Sequence, residues 1–293
     1  MIVDTLKFIY NHPFNRHNKL GGVVRFLKWQ INCRLNPYPV VYPYTENAKL
    51  MVWKGLTGAT GNVYCGLMEF ADMAFLLHFL RKDDYFIDIG SNVGAYTMLA
   101  SAEIGAKTVA IEPIPSTFES LLQNIGINQI HDLVSALNVG VGATKGSIRF
   151  TQSLDTVNHV ATDEEQDTIE VEVVTLDSVV AGKMPSLIKI DVEGFETDVI
   201  RGAESTLQAD SLKAIIIELN GLGERYNYDE GLVHQKLLSL GFEPYDYTPN
   251  GRRLTPLETY GSHNTIYLRD LPFVRERIES SRAIKVGRPP QAV

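Results

Sequence analysis

The sequence predicts an α/β fold, a doubly wound and mainly parallel sheet with helices on both faces, and three observations carry that prediction. Short apolar strands alternate with helical stretches from about Met68 onward. A glycine loop joins one strand directly to a helix in "YFIDIGSNVGAYTMLAS", residues 85–101, and the next strand ends in an acid, Glu112, 22 residues beyond Gly90. Strands separated by helices lie parallel, and their crossover helices cover both sheet faces.

Residues 1–62 show no strand-like alternation and read as a basic helix followed by an extended connector, because "NPYPVVYPYTEN" has three prolines within seven positions. In "GGVVRFLKWQINCRL", Val23, Leu27, Ile31 and Leu35 recur at i+4 while Arg25, Lys28 and Arg34 take other faces. Such a helix packs on its own domain, rests on an anionic membrane or a partner, or covers a site as a lid; packing on its own domain is the expectation. Helical spacing at Met73, Leu76, Leu77 and Leu80 precedes the strand "YFIDIG". A helix from about Asn92, the strand "TVAIEP", the helix "STFESLLQNIGIN" and the strand "SALNVGVG" follow.

The alternation then breaks. "GSIRFT" and "TIEVEVV" have period two, with Ile169, Val171 and Val173 facing one way and Glu170 and Glu172 the other, which predicts an inserted β-hairpin at a sheet edge. The polar run at 152–167 joins them as a surface loop. The α/β pattern resumes with "SLIKIDVEG", a helix near "ETDVIRGAEST", the strand "KAIIIELN", the helix "EGLVHQKLLSL" and closing strands "GFEPYDYT" and "HNTIYLRD". The basic remainder reads as a helix and a loose tail. The expected organisation is an N-terminal helical extension at 1–62, a ligand-binding α/β domain at 63–270 and a C-terminal helix with tail at 271–293.

Composition narrows the function. With 44% apolar and 21% charged residues the chain is that of a globular protein, and no apolar run reaches the roughly 20 residues of a membrane span. Asp4 and Lys7 interrupt any signal-peptide core, and Cys33 and Cys65 make no disulfide framework or metal motif, so the expectation is a cytoplasmic chain. Residues 151–230 hold five Lys/Arg against eighteen Asp/Glu, which argues against nucleic acid as a partner. No H-E-x-x-H or G-x-S-x-G motif occurs, so neither a metal site nor hydrolase chemistry is predicted.

In a doubly wound sheet the ligand sits outside the carboxyl ends of the strands, where Gly90-Ser91-Asn92-Val93-Gly94 lies. Gly90 permits the tight turn and Gly94 a close strand–helix approach. A dinucleotide fingerprint would place glycine where Asn92 stands, and Asp88 before the loop repels phosphate. A phosphate-free cationic nucleoside suits the site better: S-adenosyl-L-methionine offers ribose hydroxyls to Glu112 and positive sulfonium and amino groups to nearby carboxylates.

"FIDIGSNVGAYTMLAS", "VAIEPIPSTFESLLQNIGIN" and "TLDSVV...SLIKIDVEGFETDVIRGAE", followed by "IIIELN", together resemble the FkbM-type S-adenosylmethionine-dependent methyltransferases over about 70% of the chain. The resemblance implies a class I methyltransferase (Rossmann-like) fold with a mainly parallel seven-stranded sheet whose last strand is antiparallel. It implies O-methylation of a hydroxyl, often on a sugar or secondary metabolite. It also implies that Asp88, Gly90, Ser91, Asn92 and Gly94 form the cofactor loop, that Glu112 holds the ribose, and that Pro113 and Ile114 lie against the adenine.

Lys189, Asp191 and Glu193 alternate along the end of a central strand, so their side chains are expected on one side of it. They are either an ion pair that orders the strand end or the acceptor site, where Asp191 or Glu193 takes the hydroxyl proton. Glu218 ends the next strand as an acceptor-contacting candidate or a cap, and His263 begins the final strand as a candidate base or a surface residue. Glu69 either reaches the cofactor's amino group or caps the helix after it. Two other functions fit the same pattern: a dinucleotide-dependent oxidoreductase, disfavoured by Asn92, and a non-catalytic module that kept the fold.

Overall fold

The structure, a computed structural model, describes residues 2–154, 157–162, 164–287 and 290–293. The chain begins with helices α1 (Ile2–Asn11) and α2 (Lys19–Leu35), the strands β1 (Val40–Pro43) and β2 (Lys49–Val52), and helices α3 (Thr57–Cys65) and α4 (Phe70–Phe79). Next come β3 (Tyr85–Ile89), α5 (Ala95–Thr97) with a π-helical continuation over Met98–Ile104, β4 (Lys107–Ile111), α6 (Pro115–Asn128) and β5 (Val134–Leu137). Strands β6 (Gly140–Val141), β7 (Gly146–Thr151) and β8 (Thr168–Val174) precede α7 (Leu176–Val180), β9 (Pro185–Ile190), α8 (Glu196–Arg201), α9 (Glu204–Gln208) and β10 (Ala214–Glu218). The chain closes with α10 (Glu230–Ser239), β11 (Glu243–Thr248), β12 (Arg253–Pro256), β13 (Asn264–Leu268), α11 (Leu271–Ser280), β14 (Lys285–Val286) and β15 (Gln291–Ala292).

Eight strands form the main sheet in the order β12-β11-β13-β10-β9-β3-β4-β5. Neighbours from β5 through β10 are parallel, and β13 runs antiparallel between β10 and β11. This is the class I methyltransferase arrangement, with β12 added antiparallel at the β11 edge as an eighth strand. Alternation along the strands divides two cores. Phe86, Leu187, Ala214 and Ile216 face the layer that holds α4 and α6, while Ile87, Ile188, Ile215 and Ile217 face α8 to α10. Because both faces are covered, β9 is buried at every residue, which is why it reads as an unbroken apolar run around Lys189.

Four expectations are corrected or sharpened. The hairpin β7–β8 does not extend the main sheet; it pairs with β6 in a separate sheet ordered β6-β8-β7, with Val171 and Val173 buried and Glu170 and Glu172 exposed. Its loop positions 155, 156 and 163 lie outside the described residues. The proline-rich connector is an antiparallel strand pair, β1–β2, and the tail returns as β14–β15, where Gly287 N–H donates to the Tyr44 carbonyl. In α2 the inward side chains are Phe26 and Trp29, which join the α4-side core, whereas Leu27, Ile31 and Leu35 face outward. The i+4 stripe therefore marks the wrong face: aromatic bulk, not the aliphatic repeat, is what packs.

Candidate active site

At the carboxyl rim of the parallel strands lies a cavity of about 280 Å³, lined at one end by the glycine loop and Glu112 and at the other by Lys189, Asp191, Glu193 and Glu218. Its volume is just under the range usual for small-molecule sites, roughly 300–1,000 Å³.

The loop is held by backbone. Gly90 and Ser91 N–H both donate to the Ile111 carbonyl, at 3.0 and 2.9 Å. Gly90 has φ +73°, and a Cβ there would lie 1.8 Å from the Asp191 carbonyl oxygen, so only glycine fits. Asn92 also takes the left-handed region, φ +50°, and its Oδ1 accepts from Val93 N–H at 2.8 Å. Asparagine is among the few non-glycine residues that enter this region readily, which explains how the loop keeps its turn without the middle glycine.

Glu112 is buried and accepts from Asn92 N–H at 2.9 Å and Ile114 N–H at 3.0 Å. Burial pushes its carboxyl up to about 7 despite those two donors. Asp88 is buried as well; Thr97 Oγ1 donates to one carboxylate oxygen at 2.6 Å, and burial raises the group to about 6. Its other oxygen, Oδ1, and the Ser91 hydroxyl have no hydrogen-bond partner among the described residues. Both residues line the cavity. An unsatisfied buried polar atom costs about 1–3 kcal/mol, so a ligand that brings donors to this wall is strongly favoured. S-adenosylmethionine passes that test: it has amino and hydroxyl donors and a positive sulfonium for an acidic wall. Of the two adenine candidates, Pro113 lines the cavity. Ile114 does not: its side chain is buried with Phe150, Val160, Val171 and Phe195 under the hairpin, and its contribution to the site is the N–H that holds Glu112. Val139, Val141 and Phe150 supply apolar lining instead.

At the other end Lys189 is buried, its Nζ 2.7 Å from Asp191 Oδ2 and 4.7 Å above the Tyr96 ring. Burial opposes its charge, yet the carboxylates of Asp191, Glu69 and Asp88 outweigh that and hold the ammonium above its ordinary range. Glu193 is not part of the strand alternation. β9 ends at Ile190, and Glu193 sits in the following turn with φ +55°. That turn still gathers it with Asp191 and Glu218, their carboxylate oxygens within 4.8 Å of one another, close enough for one cation to bridge, a grouping no sequence motif announces. Burial and the Asp191 charge push Glu193 up to about 7; burial and the charges of Asp191, Glu193 and Glu196 push Glu218 up to about 8.

Glu69 stands at the N-cap position of α4, but its side chain makes no capping bond there; it accepts the Tyr96 hydroxyl and lines the cavity. His263 is exposed and outside the lining, because the antiparallel β13 brings Asn264 to the rim opposite Glu218, and Asn264 Nδ2 donates to Asp72 at 3.3 Å. Sequence reading also missed Glu196, which receives the Val192 and Gly194 N–H groups and so braces the Glu193 turn. Its only trace is a third acid in the "DVEGFE" run.

Residues 88–244 match the family model of the methyltransferase FkbM domain. The chain belongs to the FkbM methyltransferase family. It is 30% identical over 148 residues to the hexuronic acid methyltransferase AglP of Haloferax volcanii, covering 50% of this chain and 59% of that protein. Methyltransferase 1 of Beauveria bassiana is 26% identical over 207 residues, with 61% of this chain and 82% of that protein aligned. The crystal structure of methyltransferase FkbM from Methylobacillus flagellatus superposes with a TM-score of 0.45 and 13% identity, over 91% of this chain and 58% of that one.

Proposed function

We propose that this FkbM methyltransferase uses S-adenosylmethionine to methylate a hydroxyl on a sugar or glycan acceptor. One observation carries the reading: a single cavity is lined both by the glycine loop with Glu112 and by Asp191, Glu193 and Glu218. Held by the glycine loop and Glu112, the cofactor would supply an electrophilic methyl on a sulfonium, with the neutral thioether as leaving group. The acceptor hydroxyl must lose its proton in that step. Glu193 takes it, because a base works best when its pKa lies near the operating pH, and burial places this carboxyl near 7. Asp191, tied to Lys189, and Glu218 hold the hydroxyl in line.

The same charges select the acceptor. A sugar carboxylate entering this end would face three carboxyl groups, whereas a neutral hydroxyl donates to them. The hexuronic acid named for the Haloferax relative supports a sugar acceptor, and the electrostatics here favour an ether over an ester. Incubation with methyl-labelled S-adenosylmethionine and a panel of neutral sugars, hexuronates and glycans tests this. Label retained after mild alkali, which cleaves methyl esters but not methyl ethers, is the expected result. Label lost to alkali overturns the hydroxyl assignment, and NADH binding without S-adenosylmethionine binding overturns the cofactor.

A further inference from the structure

We propose that the outer face of α1 and α2 docks on an anionic lipid bilayer surface. In α2, Leu20, Val24, Leu27, Ile31 and Leu35 are 45% to 80% exposed while Phe26 and Trp29 are buried beneath them. At about 100° per residue the five exposed side chains fall within an arc of roughly 80°, opposite the buried pair, and Lys28 and Arg34 flank that arc on its two sides. On α1, Val3, Lys7 and Tyr10 share one exposed side, with Ile2 next to it, while the exposed Asp4 and Phe8 lie on other sides of the helix. An apolar stripe with cations along its margins is the arrangement of a helix lying in a membrane interface: aliphatic side chains enter the acyl boundary and basic ones reach the headgroups.

Charge decides between occupants. Residues 1–50 hold seven Lys/Arg against two Asp/Glu, while the rest of the chain holds 20 against 33. The patch is a basic pole of an acidic protein, so an anionic leaflet attracts this face and repels the acidic second half, residues 151–230. A second copy fits poorly: α2 contains four basic residues and no acid, so paired helices would place like charges along both margins of the seam. No described helix is long and apolar enough to cross a membrane, so the contact is peripheral. Docking would also bring the cavity near the surface, because α3 carries the lining residues Gly58 and Asn62, and Arg25 of α2 binds the α3 carbonyl of Tyr64 at 2.8 Å.

The full chain, mixed with phosphatidylcholine vesicles with and without phosphatidylglycerol, should float only with the anionic vesicles and be released by high salt. Lys28→Glu with Arg34→Glu should weaken binding by about tenfold or more, since each basic residue near an anionic leaflet contributes roughly fivefold. Leu27→Asp with Ile31→Asp should abolish it, with unchanged melting temperatures showing that both variants fold. No flotation at low salt overturns the proposal, as does flotation insensitive to both double variants. A concentration-dependent dimer broken by Leu27→Asp with Ile31→Asp would assign the face to a second copy instead.

Discussion

The two ends of the cavity are built by opposite means. The glycine-loop end is shaped by backbone: left-handed turns at Gly90, Asn92 and Gly94, N–H groups converging on the Ile111 carbonyl and on Glu112, and almost no freedom to move. The carboxylate end is shaped by side chains that repel one another, held together by Lys189 and by burial. The contrast teaches that the first end is steric and intolerant of substitution, whereas the second is electrostatic and responds to pH and charge. The variants below set one end against the other, from the largest effect to the smallest.

Gly90→Ala should be the most damaging. Its methyl would lie 1.8 Å from the Asp191 carbonyl, and Asp191 is fixed because its N–H donates to the Ile89 carbonyl at 3.1 Å. The left-handed backbone costs about 1–2 kcal/mol and overpacking about 1–3 more, a large part of a typical 5–15 kcal/mol stability. A thermal melt should fall by about 3–8 °C. A melt within a degree or two of the parent would show that the loop yields and that this end is not rigid.

Glu193→Gln should leave S-adenosylhomocysteine affinity intact and reduce kcat by about 10²- to 10⁴-fold, the usual worth of a general base. Glu112→Gln should do the reverse, weakening affinity by about tenfold or more through one charge-assisted hydrogen bond while sparing turnover of the loaded enzyme. Calorimetric titration and steady-state rates on both variants draw the comparison directly. If Glu193→Gln lost affinity and kept its turnover, the two ends would have been assigned the wrong way round.

The glycine-loop end was legible in the sequence because it is local: Gly90, Asn92 and Gly94 lie within five residues, and the acid that braces them ends the very next strand. The carboxylate end was legible only in part. Lys189 and Asp191 stood out as charges in an apolar strand, but Glu193 joins them through a turn with φ +55°, which period-two reasoning cannot foresee. Tyr96, which covers Lys189 and bonds Glu69, looks like an ordinary helix residue in sequence, since its role depends on α4 being packed beside it. The α2 stripe misled for a related reason: periodicity reveals an amphipathic helix but not which of its faces a domain covers.

The pH response should be smaller but readable. Burial raises Asp88 to about 6, Asp72, Glu112, Glu193 and Glu196 to about 7, and Glu218 to about 8. Between the ordinary carboxylate range near 4 and those values the folded chain binds more protons than the unfolded one, so stability falls as pH rises. This contribution is full below about pH 4 and lost through pH 6 to 8. Turnover should move the other way, rising through about pH 7 as Glu193 ionises. Melting curves and rates at pH 5.5, 7 and 8.5 test both signs; a melting temperature that climbed across this range would contradict the buried, proton-holding cluster.

The smallest effect belongs to Asn92, the position that separates this loop from a dinucleotide fingerprint. Asn92→Gly keeps the left-handed turn at no steric cost and loses only the bond to Val93 N–H, so its stability should stay within about 0.5 kcal/mol of the parent. Asn92→Ala loses the same bond and must also hold φ +50° without help, which should cost about 1–2 kcal/mol in urea denaturation. Equal losses in the two variants would mean that the side-chain bond, not the backbone conformation, is what asparagine supplies. Asn92→Gly also rebuilds the Gly-x-Gly spacing, yet NADH should still fail to bind: Asp88 lies before the loop, and Glu112 already takes the Asn92 N–H that a pyrophosphate would need. Ligand choice here is set by the acids around the turn rather than by the turn itself.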